Sequence, residues 1–248
     1  MNITSKSTAS NNTASNNTRQ FQKFGGLAAL VDALTFIIGF ALYFSLLASA
    51  NYGDLSIDPV QHAAFLTNNQ SIMYAWNFII YVVFGIALVV LSLALHDRLK
   101  DAASALSQVA LAFGLIWSGL VIASGMVANV GANVVANIYA QNPDQAGSTW
   151  LSLQFVIDGL GGGNEIVGGV WLLLVSIAAL QAANLPRFLN YFGIVISLAG
   201  ILSMIPVLSE LGGSIFGLGL IVWFVWVGIA MLRRNVATQQ KSFAISHA

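Results

Sequence analysis

Three carboxylates lie where the chain is otherwise apolar: Asp32, Asp158 and Glu165. Each falls inside a block long enough to cross a hydrocarbon core, where inserting a charged side chain costs about 3 kcal/mol on translocon scales. No Lys, Arg or His occurs within any of these blocks, so no cationic partner shares the apolar layer. A carboxylate desolvated without a partner takes up a proton, holds a cation or keeps water beside it. That is the chemistry of a proton- or cation-linked polar pocket. The alternative is a neutral carboxyl that hydrogen-bonds a neighbouring helix and serves packing, worth about 1 kcal/mol.

Uncharged polar residues extend the pattern. On a continuous helix Asp158 and Glu165, seven positions apart, share one face at about 10 Å along the axis, and Gln154 prolongs that stripe. Asn129, Asn133 and Asn137 recur every four residues and form a second stripe, while Asn77 enters its own block at a similar depth. Together with Asn164, beside Glu165, these residues and Asp32 are expected to line one polar cavity in the outer half, with Glu165 as its floor.

Between the two carboxylates the chain reads Asp158-Gly-Leu-Gly-Gly-Gly-Asn-Glu165. Each glycine weakens a helix by about 1 kcal/mol relative to Ala. Gly159, Gly161, Gly162 and Gly163 therefore invite a break, whose freed backbone groups must line a cavity or find protein partners. The competing reading is close helix packing through the Gly159-xxx-Gly163 pair.

The elements that must position these groups follow from composition. The chain has 248 residues, 57% hydrophobic and only 7% charged, far from the roughly 25% charged typical of soluble domains. Six apolar blocks, near Phe24–Leu47, Ile72–Leu95, Ala105–Ala128, Trp150–Leu180, Phe188–Leu208 and Ser214–Leu232, can each approach the about 20 residues a spanning helix needs. The expected fold is an all-α bundle of six transmembrane helices over residues 21–235. A disordered polar tail (residues 1–20) precedes it and a second tail (residues 236–248) follows. With six spans all nine Lys and Arg residues fall on one side, which places both termini in the cytoplasm. The opposite loops carry Asp54, Asp58, Asp144 and Glu210. Asp58-Pro59 is expected to start a short surface helix in the first outer loop, and Pro206 to kink the end of the fifth span. Three spans plus three allow an inverted repeat, with Gly25, Gly26 and Asp32 answering Gly162, Gly163 and Glu165.

Much chemistry is excluded. The chain has no cysteine, hence no disulfide, thiolate metal site or thiol nucleophile. His62 and His96 fall on opposite sides, so paired imidazoles for haem are missing, and no span supplies a Schiff-base Lys. No zincin, Walker or nucleophile-elbow motif occurs. No metal, cofactor or catalytic constellation is expected, and a zero net charge gives no field for nucleic acid. The partners expected are the lipid bilayer and a small solute or cation.

Three stretches carry a resemblance: Gly-Gly-Gly-Asn-Glu-Ile leading to Gly-Gly-Val-Trp171, then Leu185-Pro186-Arg187-Phe188-Leu-Asn-Tyr-Phe-Gly-Ile, and Ile221-Val-Trp-Phe-Val-Trp-Val-Gly-Ile. Across about residues 20–235 the chain resembles a bacterial multi-pass membrane family of the 4386 type, catalogued only as a domain of unknown function. The resemblance implies a bacterial plasma-membrane location and a multi-pass architecture, and it transfers no catalytic residue. Two functions are consistent with the residues. One is a small transporter, or a subunit of one, coupling a solute to protons or cations. The other is a non-catalytic scaffold or stress and assembly partner with structural carboxylates.

Overall fold

The computed structural model describes residues 4–52, 54, 56–162 and 165–246. Among the described residues there is no strand. The described residues form nine α-helices: α1 (Thr4–Leu42), α2 (Pro59–Asn68), α3 (Gln70–Asn77), α4 (Phe84–Leu99), α5 (Ser104–Tyr139), α6 (Pro143–Ile157), α7 (Ile166–Ala182), α8 (Arg187–Leu202) and α9 (Ser209–Ser246). Several join end to end, giving five helical segments long and apolar enough to cross a membrane: Asn16–Ala50, Gln70–Leu99, Ser104–Tyr139, Pro143–Ala182 and Pro206–Arg233. The sixth apolar helix, α8, is shorter at 16 residues, about 24 Å of axis. Its expected extension to Leu208 does not form, and Pro206 does not kink it. The helix stops at Leu202, Ile205 is extended (φ −79°, ψ 120°), and Pro206 opens a separate 3₁₀ turn. The proline ring drives the residue before it out of the α region. Helix α1 begins at Thr4.

The helices α1, α4, α5, α7, α8 and α9 form a ring in which each packs on its two neighbours and α9 closes on α1. Phe84, Trp117, Trp171, Trp223, Phe216 and Phe224 fill its interior, all at most 2% exposed. Ring centroids run 5.3 Å from Phe84 to Trp117, 5.6 Å from Trp117 to Trp171 and 5.6 Å from Trp171 to Trp223. These are ordinary edge and tilted aromatic contacts. The centre is thus a plug, with no central channel.

Small residues set the helix spacing. A Cβ added at Gly114 would collide with Ser92 Oγ and come within 2.7 Å of Trp171 Nε1. At Gly193 it would collide with Ser176 Oγ and come within 3.0 Å of Trp223 Nε1. Helices α4–α5–α7 therefore repeat the crossing made by α7–α8–α9. The two Gly-Gly pairs sit in different settings: Gly25 and Gly26 lie inside the unbroken α1 against Ala94 and Leu232, while Gly162 ends a distorted segment.

The two ends of the bundle differ in charge. At the basic end Arg98 donates to Gln22 Oε1 (3.2 Å) and to the Asn184 carbonyl (3.5 Å), while Asn184 Nδ2 donates to the Arg98 carbonyl (2.7 Å). This latch ties α1, the α4–α5 turn and the α7–α8 turn. At the acidic end α2 starts as expected, with Asp58 accepting from Val60 N (2.9 Å). Helix α2 lies on α6 at Gly147, where an added Cβ would meet the Pro59–Val60 backbone at 2.8 Å.

Candidate functional site

Near the acidic end a cavity of about 210 Å³ lies between the end of α1, the α3–α4 junction, α5 and α6. Asp158, Gln154 and Asn77 supply its polar wall, and Tyr43, Tyr52, Trp76, Tyr81 and Trp150 supply aromatic surface. Two π-helical segments, Tyr43–Leu47 and Phe78–Val83, and the broken segment Asp158–Gly162 meet it. Each puts one residue into the lining: Tyr43, Tyr81 and Asp158. Widened turns of this kind are rare and occur mostly as bulges at functional sites, because the displaced turn re-aims its side chains.

Asp158 is half-buried, and its Oδ1 accepts from Gln154 Nε2 at 2.9 Å, one turn back on α6. No Lys, Arg or His lines the cavity with it, and the Lys100–Asp97 ion pair lies at the other end of the bundle. Asn77 is 3% exposed and donates to Asn129 Oδ1 at 3.2 Å, while Asn129 Nδ2 donates to the Tyr74 carbonyl at 3.4 Å. Trp76 is held by its indole N–H, which donates to the Gly39 carbonyl of α1 at 3.3 Å. Tyr52 stacks obliquely on Trp150 with centroids 6.4 Å apart, and burial pushes its phenol well above the usual range.

The expected cavity is brought together only in part. Asn77 and Asp158 line it. Asn129 touches it through Asn77, yet its own face, with Asn133, lines a separate open groove of about 800 Å³ along α3 and α5; Asn133 and Asn137 are exposed. Asp32 is elsewhere. It is fully buried in α1, neither carboxyl oxygen has a partner among the described residues, and Thr35 Oγ donates only to its backbone carbonyl (2.8 Å). Phe36, one turn on, packs edge-on against Phe84 at 5.3 Å, so Asp32 belongs to the closed aromatic interior. The reason is register: α1 reaches the cavity only at Tyr43, three turns further along.

Asp158 and Glu165 do not share a helical face. The backbone leaves the helix at Gly161 (φ 131°, ψ 11°), and Glu165 becomes the half-buried N-cap residue of α7, without a side-chain cap bond. It does not line the cavity. Gly163 and Asn164 lie outside the described residues. Packing does not explain Gly159 or Gly161: an added Cβ at Gly159 would meet nothing within 4 Å, and at Gly161 nothing closer than 3.7 Å. Gly161 is required by its positive φ, which L side chains rarely adopt.

The five aromatic residues escaped the sequence reading. None is charged at neutral pH, and Tyr or Trp near a span end reads equally well as an interfacial belt. Their signal is positional, since all five fall in or just beyond the acidic ends of three segments, Asn16–Ala50, Gln70–Leu99 and Pro143–Ala182.

The family model described as Domain of unknown function (DUF4386) matches residues 24–229. No curated protein and no solved structure matches the chain.

Proposed function

The chain belongs to this family of unknown function, so the site itself carries the reading: we propose that it is a transporter, or a subunit of one, that takes a small solute coupled to a cation or proton into the Asp158 cavity. One observation carries it. A half-buried carboxylate, with no basic residue in the lining, faces a cavity built by two π-helical segments and a helix broken at Gly161. Broken helices at membrane depth are tolerated where they line a cavity, and transporters build ion and substrate sites this way. In the proposed arrangement six apolar helices cross a bacterial plasma membrane, α8 being the shortest. The basic end and both termini are cytoplasmic, as the Lys and Arg asymmetry favours, and the cavity lies in the outer half.

The scaffold reading draws on Asp32, whose carboxyl is sealed among packed helices like a structural element. It does not extend to Asp158, which borders open space. The test is thermal stability of the purified full-length protein across a panel of monovalent cations, solutes and pH values. A ligand that binds the folded state a hundredfold above its Kd adds about 2.7 kcal/mol. At least one cation or solute should raise the midpoint of the parent and leave Asp158→Asn unmoved. A flat response in both proteins would retire the transporter reading.

A further inference from the structure

Resting on that reading, we propose that the Asp158 cavity selects a small organic ammonium ion, best a methylated one, over an inorganic cation or a zwitterion. Half of the ten lining residues are aromatic: Tyr43, Tyr52, Trp76, Tyr81 and Trp150. Aromatic faces attract a cation through their quadrupole, by about 0.5–1 kcal/mol at exposed sites and about 2 when desolvated, and cages of such rings recognise quaternary ammonium groups. Asp158 supplies the single compensating charge, with one oxygen fixed by Gln154.

An inorganic ion is a poor fit. Hard cations exchange their hydration shells for arrays of oxygen ligands, whereas half of the residues lining this cavity are aromatic and one is a carboxylate. Among the described residues no three His, Cys, Asp or Glu side chains converge as metal ligands. A methylated ammonium has a weakly held shell and loses little on entering apolar surroundings. Its methyl groups also gain contact with the rings. A zwitterion would bring a carboxylate, and no Lys, Arg or His lines the cavity to receive it.

Size and field agree with this. About 210 Å³ is below the about 300–1,000 Å³ of drug-sized sites, which restricts the occupant to a few heavy atoms. The loops at this end carry Asp54, Asp58 and Asp144 with no Lys or Arg in segments 48–70 and 140–149. Charge of one sign around a low-dielectric mouth concentrates the opposite ion and repels anions.

The experiment is competition by chemistry on the purified full-length protein. Thermal midpoint and tryptophan fluorescence are followed at fixed ionic strength while tetramethylammonium, choline, trimethylglycine, sodium, or 3,3-dimethylbutanol, choline's uncharged shape mimic, is added. Tetramethylammonium and choline should shift both signals, with the mimic, trimethylglycine and sodium at least tenfold weaker. Replacing tryptophan biosynthetically by fluorinated tryptophans, which keep ring size but weaken the quadrupole, should lower affinity stepwise, by about 2- to 30-fold. A folded protein shows this even if Trp150→Ala does not fold. An equal response to choline and its mimic, or fluorination without effect, overturns the inference. A response to sodium or pH alone overturns it while sparing the cation-linked reading, and no response to any probe removes both.

Discussion

Asp158 and Asp32 show how differently two carboxylates in apolar segments are held. Asp158 borders a cavity and is oriented by Gln154; Asp32 is enclosed beside the aromatic plug. Substituting Asp158→Asn should leave yield and fold intact and remove cation responses, whereas Asp32→Asn should leave those responses in place, as read by thermal shift. The carboxylates stood out in the sequence because charge is scarce in apolar blocks. Which of them meets open space depended on helix register, and the tyrosines and tryptophans that complete the cavity carry no such mark. Outside the spans, the Ser56 hydroxyl and backbone N–H hold Asp54 below the usual carboxylate range, at 2.7 Å and 2.9 Å. A depressed folded-state value means that this loop contact contributes above Asp54's unfolded value and is lost as pH falls through the folded one. Ser56→Ala should move the Asp54 midpoint upward in an NMR pH titration; an unchanged midpoint would show that the hydroxyl is irrelevant.

Among elements, the broken fourth segment separates conformation from packing. Gly161 needs its φ of 131°, so Gly161→Ala should cost about 1–3 kcal/mol of stability, the usual strain of a side chain in such a region. Gly159 has open space where a methyl would go, so Gly159→Ala should be neutral or stabilising by up to about 1 kcal/mol. Equal losses at the two positions in thermal melts would contradict a break centred on Gly161. At the ring crossings the steric case is opposite: Gly114→Ala and Gly193→Ala should each destabilise by about 1–3 kcal/mol through overpacking. The glycine run and the Asp58-Pro59 helix start were legible because Gly and Pro act on local backbone. The end of α8 was legible on the same terms: the helix stops at Leu202 and Pro206 holds Ile205 extended, a local effect that the mostly apolar run on to Leu208 obscures.

For the whole molecule, the sorting of charge between its ends joins topology to function. Latching at Arg98, Gln22 and Asn184 closes the basic end, while the cavity lies toward the acidic end beside Tyr52 and Trp150. Reporter fusions after Arg98 and Arg234 should therefore be active in the cytoplasm, and one near Asp144 outside; activity at Arg98 on the outer side would invert the arrangement. The central claim is that a cation reaches Asp158 from the acidic face. The chain has no cysteine of its own, so Ala128→Cys places a single thiol in the cavity lining. In intact cells its modification rate is compared for two membrane-impermeant methanethiosulfonates, one ending in trimethylammonium and the other in sulfonate. The account predicts that the cationic reagent reacts faster by about 10-fold or more, after correction for intrinsic reactivity, as a field-focusing cleft requires, and that tetramethylammonium slows it. Equal corrected rates for the two reagents, or reaction only after the cytoplasmic face is opened, would contradict it.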